Sequence, residues 1–204
     1  MSPEPFAEVP SFPTSGAQQR RPRADAARNR EAILAAARET FVGSAEDPSL
    51  EGIARAAGVG IGTLYRHFPT RHDLVAAVYG SELDNVLASV EPLLEGHDAE
   101  AALRGFLRRY ADFIATKRGM AQSLQAMSDR ASSPAQTTRE RVTAAMGAIL
   151  GAGVEQGLFR ADVSADDVTA AMVGIFLSTA DSADDGQALR LLELLVRGLR
   201  SAAA

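Results

Sequence analysis

The sequence predicts an all-α protein with about nine helices. Two observations support this fold class: apolar residues recur at helical spacing along most of the chain from about Ala26 onward, and neither an alternating strand pattern nor a βαβ unit is present. A third observation concerns organisation, because two short helices joined by a glycine turn precede a longer helix near the amino terminus. We therefore predict an amino-terminal helix-turn-helix domain of three helices, joined by a long helix to a larger helical domain.

The composition excludes several classes of function. Of 204 residues, 46% are hydrophobic and 23% are charged, and no apolar run reaches the roughly 20 residues of a membrane span. The absence of cysteine excludes disulfides, thiolate metal sites and cysteine nucleophiles. The first residues, MSPEPFAEVPSFPTSG, lack the basic start and apolar core of a secretory signal. We expect a cytoplasmic protein that has no membrane partner.

The net charge of −5 conceals a basic segment. Between Arg20 and Arg71 there are nine arginines and six acidic residues, so this segment carries +3 and the rest of the chain is acidic. Such a segment is expected where a protein contacts nucleic acid. Uneven scatter of charge is the alternative that the count alone leaves open.

The first predicted elements are an arm and a helix. Residues 1–24, rich in Pro, Ser and Gly, are predicted to be a disordered arm. Its arginines, Arg20, Arg21 and Arg23, either enter a minor groove or stay solvated, and both alternatives remain open. The first helix is predicted from about Ala26 to near Gly43, with its apolar positions at Ile33, Leu34, Ala37 and Phe41.

The helix-turn-helix is predicted between residues 49 and 68, inside a domain of residues 25–72. Ser49 is the expected N-cap of a short helix that Gly58 ends. A second short helix begins at Ile61 or Gly62 and runs to Phe68, because Pro69 blocks its continuation.

A capped helix follows this pair and begins near residue 71. Thr70 and Asp73 have the spacing of a capping box. The apolar spacing predicts a helix that extends to about Val90 and ends or kinks before Pro92. This helix leads into the second predicted domain, residues 73–204.

The stretch GVGIGTLYRHF, residues 58–68, admits three kinds of site. A phosphate loop would need a strand before the glycines, whereas a helix precedes them. No serine elbow, paired carboxylates or His-Glu-x-x-His spacing accompanies the polar residues. His67 and His72 flank Pro69, so one helix cannot present both to a metal. We predict no catalytic site, no metal site and no cofactor.

The third kind of site is a surface that lies against DNA. If Leu64 and Phe68 form the buried stripe of the second short helix, the polar and aromatic residues cover its other faces. A major groove admits such a helix, and the small Gly60 and Gly62 would let the backbone come close. Ser49 and Arg71 are placed to hold phosphates on either side. The remaining residues of this predicted face are Ile61, Thr63, Tyr65, Arg66 and His67.

The segment PSLEGIARAAGVGIGTLYRHFPTRHDLVAAVY, residues 48–79, closely resembles the amino-terminal DNA-binding domain of the tetracycline-repressor (TetR) family. The shared motif includes the Ala-Gly-Val turn, Gly-Thr-Leu-Tyr-x-His-Phe, and the residues Arg71 and Leu74. The resemblance implies that Ile61, Gly62, Thr63, Tyr65, Arg66 and His67 occupy recognition-helix positions and that Arg71 contacts phosphate. The sequence departs from the common pattern at Leu50, where threonine is frequent, and at Ile61, where polar residues are frequent.

The last helix is apolar on nearly all sides, which requires burial on more than one side. The second side of this helix is buried either by a partner subunit or by the core of the same chain. The resemblance implies a homodimer in which the last two helices pair with their mates. The predicted interface residues are Met172, Ile175, Leu191, Leu192, Leu195 and Leu199.

The resemblance also implies a cavity whose small-molecule ligand releases the protein from DNA. The predicted wall is Phe106, Tyr110, Phe113, Met120, Leu124, Met127, Met146 and Phe176. Plain core is the alternative for each of them. We therefore expect a ligand-responsive repressor that binds a palindromic operator as a dimer and does not act as an enzyme. An activator, and an all-helical small-molecule binding protein or enzyme without operator use, are the alternatives.

Overall fold

The computed structural model describes residues 20–43, 48–121, 124, 134–182, 184 and 186–201. Within these residues the chain is helical, and an isolated bridge pairs Phe159 with Arg200. The predicted all-α class is confirmed. The helices are α1 Arg20–Gly43, α2 Leu50–Ala56, α3 Ile61–His67, α4 Arg71–Ala88, α5 Val90–Gly96, α6 Ala99–Gly119, α7 Pro134–Glu155, α8 Ala165–Ser178 and α9 Gln187–Gly198.

Helix α1 begins at Arg20, earlier than the predicted start near Ala26. The end of the predicted disordered arm is therefore helical. Proline is tolerated in a first helical turn because the backbone N–H it lacks would have no partner there, so Pro22 does not prevent this early start. The structure does not describe residues 1–19 or the side chains of Arg20, Arg21 and Arg23. Both alternatives for these arginines, contact with a minor groove and solvation, therefore lie outside the described residues.

Side-chain caps fix the starts of α2 and α4, and a glycine turn follows α2, as the sequence predicts. The Ser49 hydroxyl accepts a hydrogen bond of 3.0 Å from the Gly52 backbone N–H at the start of α2. Gly58 ends the turn after α2 with a φ of 67°, in the left-handed region that glycine adopts at little cost. Thr70 and Asp73 form both bonds of a capping box at the start of α4. An N-cap of this kind typically contributes about 1 kcal/mol.

The helix that begins at Arg71 ends before Pro92, as the sequence predicts. Helix α4 ends at Ala88, Ser89 forms a turn, and α5 begins at Val90. Pro92 thus lies in the first turn of α5, where its missing N–H has no cost. After the break, α5 packs against α6 and α7.

The buried apolar residues form two clusters. Helices α1 to α4 enclose the smaller one, and α4 to α9 supply the larger one. Tyr79 packs against both clusters, and Met120, just beyond the end of α6, is 1% exposed inside the smaller one. A β-carbon at Gly119 would overlap the Phe41 carbonyl, so α6 and α1 approach backbone to backbone. The larger domain therefore completes the core of the smaller one.

An ion-pair network joins the start of α6 to the end of α9. Glu100 accepts hydrogen bonds from Arg200 at 2.6 and 2.9 Å and from Arg104 at 2.9 Å. Glu193 pairs with Arg104 and Arg197. The bonds from Arg200 first, and from Arg104 second, lower the pKa of Glu100 from 4.5 to about 2.

Candidate nucleic-acid interface and effector cavity

Helix α3 is anchored by two buried side chains. Leu64 is fully buried and Phe68, at the helix C-cap, is 2% exposed, and both belong to the smaller core. The guanidinium of Arg30, from α1, lies over the Phe68 ring at 5.4 Å from its centroid. A short helix with little stability of its own is thus held in place by packing and by a cation–π contact.

The outer side of α3 carries most of the predicted DNA-facing residues. Ile61 is 37% exposed and Tyr65 is 44% exposed, and Gly62 and Arg66 are exposed beside them. Thr63 and His67 are half-buried at the margins. We call the exposed residues Gly60, Ile61, Gly62, Tyr65 and Arg66 the α3 face.

The two glycines of the α3 face are not required by the fold. Gly60 is the helix N-cap with an ordinary φ of −70°. Among the described residues, none would lie within 4 Å of a β-carbon at Gly60 or Gly62. Gly58 differs, because its positive φ disfavours any other residue. The absence of side chains at positions 60 and 62 leaves open space at the start of α3.

The two predicted phosphate contacts are brought close together, and both also have structural partners. Ser49 caps α2. Arg71 donates a hydrogen bond of 2.5 Å to the Pro48 carbonyl, and its guanidinium lies 5.8 Å from the centroid of the Phe41 ring. Arg71 therefore fixes the segment before α2 to the start of α4. Neither this contact, which spans 23 positions, nor that of Arg30 was anticipated from the sequence.

Two other kinds of feature are absent from the described residues. No group of three or more of their His, Asp or Glu side chains is arranged to hold a metal ion. None of their helices has the length and apolar character that a membrane span requires.

A cavity of about 430 Å³ lies between α6 and α8. We call it the effector cavity, because the resemblance predicts a ligand site among these helices. Three of the predicted wall residues, Tyr110, Leu124 and Phe176, line it. Burial raises the pKa of Tyr110 to about 12. The sequence did not indicate the other lining residues, which are Ile114, Lys117, Arg118, Ala121, Val173, Leu177 and Ala180.

The remaining predicted wall residues lie elsewhere. Phe106, Phe113 and Met146 are packed in the larger core with at most 2% exposure, and they do not line the effector cavity. Met120 belongs to the smaller core. Met127 lies outside the described residues. Helical spacing predicted burial correctly, but it cannot distinguish a cavity wall from tightly packed core.

The predicted dimer face also needs correction. Met172, Leu192 and Leu199 are at most 3% exposed and pack within the chain's own core, so they are not available to a partner. Ile175, Leu191 and Leu195 are half-buried. The large apolar residues exposed on α8 and α9 are Leu177 at 73%, Leu189 at 52% and Leu194 at 64%.

Sequence profiles of known families match both parts of the chain. The profile of the bacterial regulatory proteins of the tetR family matches residues 33–78. The profile of the carboxy-terminal domain of SbtR-like transcriptional regulators matches residues 98–201. The first match contains the α3 face, and the second contains the effector cavity and α9.

Individual relatives agree with these profiles. The HTH-type transcriptional regulator SAR0097 of Staphylococcus aureus is 37% identical over 79 residues, which are 37% of this chain and 41% of that protein. The match to this curated relative therefore spans less than half of its length.

Two crystal structures match over nearly their whole length. The TetR transcriptional regulator SCO0520 of Streptomyces coelicolor is 40% identical, with a TM-score of 0.76 over 85% of this chain and 99% of that one. A TetR transcription regulatory protein of Mycobacterium vanbaalenii is 31% identical, with a TM-score of 0.69 over 88% and 99% of the two chains.

Proposed function

The chain belongs to the TetR family of transcriptional regulators, and from this premise we propose that it is a ligand-responsive repressor that binds a palindromic operator as a homodimer. Residues 25–72 bind DNA, residues 73–204 bind ligand and dimerise, and residues 1–24 precede the DNA-binding domain. The partners are double-stranded operator DNA and a small-molecule effector. The protein acts in the cytoplasm and catalyses no reaction.

The observation that carries the DNA-binding assignment is the open start of α3. Gly60 and Gly62 keep a surface clear that no other described residue occupies. A major groove requires close approach at the amino-terminal end of a recognition helix, where base edges are reached. Tyr65 and Arg66, exposed beside the glycines, supply a hydroxyl and a guanidinium for bases or phosphates.

Ile61 gives this proposed surface a specific chemistry. Its side chain is apolar and partly exposed at the first position of α3, so it offers no hydrogen bond to a base. Contact with a thymine methyl group suits such a side chain. Thr63 and His67 complete the proposed contact set from the margins.

Ser49 and Arg71 are assigned to the phosphates beside the groove. They lie at the starts of α2 and α4, where side chains can position a domain without reading sequence. Because Arg71 also binds the Pro48 carbonyl, its loss would weaken DNA binding partly through the position of α2.

The proposed dimer forms on the outer sides of α8 and α9. Leu177, Leu189 and Leu194 are more than half exposed there, which is uncommon for leucine. Together with the half-buried Ile175, Leu191 and Leu195, they provide apolar area on two helices that pack against each other. A second copy would cover this surface and place two α3 faces against successive half-sites.

Ligand would act by favouring a dimer that cannot hold both α3 faces in register. Such coupling requires that the ligand bind one arrangement better than the other. The contact of Met120 and Gly119 with the smaller core provides a physical connection between the effector cavity and the DNA-binding helices.

The test is a titration of the protein with the duplex that flanks its own gene and with a random duplex of equal length, followed by fluorescence anisotropy at low and moderate salt. We expect the flanking duplex to bind more tightly and both affinities to fall with salt. Equal affinity for the two duplexes, or no binding at low salt, would contradict the proposal. Deletion of the gene should raise transcription of the neighbouring gene, whereas an activator would lower it.

A further inference from the structure

The described wall of the effector cavity combines an apolar surface with two adjacent cations. Tyr110, Leu124, Val173 and Phe176 supply side chains that are largely apolar. Lys117 and Arg118 supply the charges, and no aspartate or glutamate is among the described lining residues. A volume of about 430 Å³ is within the range of small-molecule sites, which is roughly 300–1,000 Å³.

Arg118 is held in the cavity wall by a bond between helices. Its Nη2 donates to the Phe176 carbonyl at 3.1 Å, joining the end of α6 to α8. A guanidinium carries five N–H donors, and this bond uses one of its nitrogens. The charge is thus oriented before any ligand arrives.

Lys117 brings a second charge into surroundings that disfavour it. The residue as a whole is exposed, but neighbouring protein atoms desolvate its ammonium group and lower its pKa below the ordinary lysine value. It forms no ion pair with the described acidic residues. A desolvated cation is stabilised when an anion comes within contact distance.

The adjoining cavity shows that this charge pattern is local. That cavity, about 400 Å³ in volume, shares Arg118 and Phe176 with the effector cavity, but its wall includes Asp112 and Asp184. Asp184 pairs with Arg190. Carboxylates therefore balance the charge there, while the described wall of the effector cavity is positive.

We propose that the effector is an amphiphilic monoanion, whose apolar body lies against Tyr110, Leu124 and Phe176 and whose carboxylate, or an equivalent anionic group, binds Lys117 and Arg118. This inference rests on the proposed function for the assignment of the cavity to an effector. Charge-assisted hydrogen bonds orient the ligand, and its apolar part supplies most of the buried area.

The test compares three probes that share a ten-carbon chain: decanoate, decan-1-ol and decyltrimethylammonium, each below its micelle concentration. Binding to the full chain is measured by isothermal titration calorimetry without DNA. Decanoate should bind at least about tenfold more tightly than decan-1-ol, because the alcohol loses the charge-assisted contacts with Lys117 and Arg118. Decyltrimethylammonium should bind most weakly.

Substitutions at Lys117 test whether the preference for decanoate depends on this residue. Lys117→Gln should weaken decanoate about ten- to hundredfold and change decan-1-ol less than about twofold. Lys117→Arg should restore decanoate binding. The matched control is Arg109→Gln, which removes the same charge from an exposed position on α6 and should leave all three probes unchanged. Helicity and thermal midpoint of each variant establish that it is folded.

Three results would overturn the ligand class: equal affinity for decanoate and decan-1-ol, no response to Lys117→Gln, or no binding of any probe. Titration of the same preparation with the flanking duplex separates this failure from a failure of the proposed function. If the protein binds the flanking duplex but does not prefer the anionic probe, the proposed regulatory function is kept and only the proposed effector class is rejected.

Discussion

The α3 region and the carboxy-terminal domain differ in how well the spacing of apolar residues identifies which of them are buried and which are exposed. In α3, two anchors face the core and the polar side chains face outward, so neighbouring positions have opposite roles. In α6, α8 and α9, apolar residues at similar spacing are divided among packed core, cavity wall and exposed surface. Helical periodicity therefore identifies the role of a residue where a helix has one buried side, and it is ambiguous where a helix has several.

The largest expected effect is a loss of folding stability, and it comes from the buried side of α3. Leu64→Ala should lower the free energy of unfolding by about 2–5 kcal/mol, because Leu64 is fully buried and its truncation leaves a cavity. Urea denaturation followed by circular dichroism measures this. A loss below about 0.5 kcal/mol would mean that α3 is not anchored as described.

Tyr65→Ala tests the exposed side of α3, which is proposed to contact DNA. Affinity for the flanking duplex should fall by about 1–3 kcal/mol, the range of a specific base contact. The free energy of unfolding should change by less than about 0.5 kcal/mol, because the side chain is exposed. Anisotropy and urea denaturation give the two values. Unchanged DNA affinity would remove Tyr65 from the interface.

The glycines provide a sharper version of this test. Gly62→Ala should stabilise the fold by about 0.5–1 kcal/mol, since alanine favours helix and its methyl group meets no described neighbour. The same variant should bind the flanking duplex more weakly. Gly151→Ala is the matched control, because it is an exposed helical glycine on α7 with equally open space. Stabilisation without any loss of DNA affinity would contradict close approach at Gly62.

In the carboxy-terminal domain, Leu194→Asp should weaken the proposed dimer with little loss of helicity, because Leu194 is 64% exposed. Leu192→Asp should unfold the chain, because it buries a charge in the core. Sedimentation and circular dichroism at matched concentration distinguish these results. A wild-type mass for folded Leu194→Asp would exclude this part of α9 from the interface.

The smallest expected effect concerns the α6–α9 network. The pKa of Glu100 is lowered from 4.5 to about 2 in the folded chain, so its ion pairs stabilise the fold fully above pH 4.5 and lose this effect as pH falls toward 2. The contribution should stay below about 1 kcal/mol, because solvent screens the network. Wild type and Glu100→Gln should therefore converge in unfolding free energy between pH 4.5 and 2. A difference that stays constant with pH would contradict this role.

These differences also explain what the sequence could predict. The caps at Ser49 and Thr70, the turn at Gly58 and the break before Pro92 depend on residues a few positions apart, and all were predicted. The contact of Arg71 with Pro48 joins distant positions that no local pattern links.

The carboxy-terminal errors have a related cause. Leu192 and Leu194 have the same chemistry and differ only in which side of α9 the tertiary packing covers. Met120 was assigned to a cavity because of its apolar character, but the chain directs it into the core of the smaller domain. Such assignments depend on how helices pack, and the sequence pattern alone leaves that open.

The most direct test of the proposed regulator is selection of bound duplexes from a random pool, followed by sequencing. A dimer that presents one α3 face per subunit should enrich two inverted half-sites with centres about one helical turn apart, or a multiple of it. Enrichment of a single unpaired site, or of no common sequence, would contradict an operator-binding dimer.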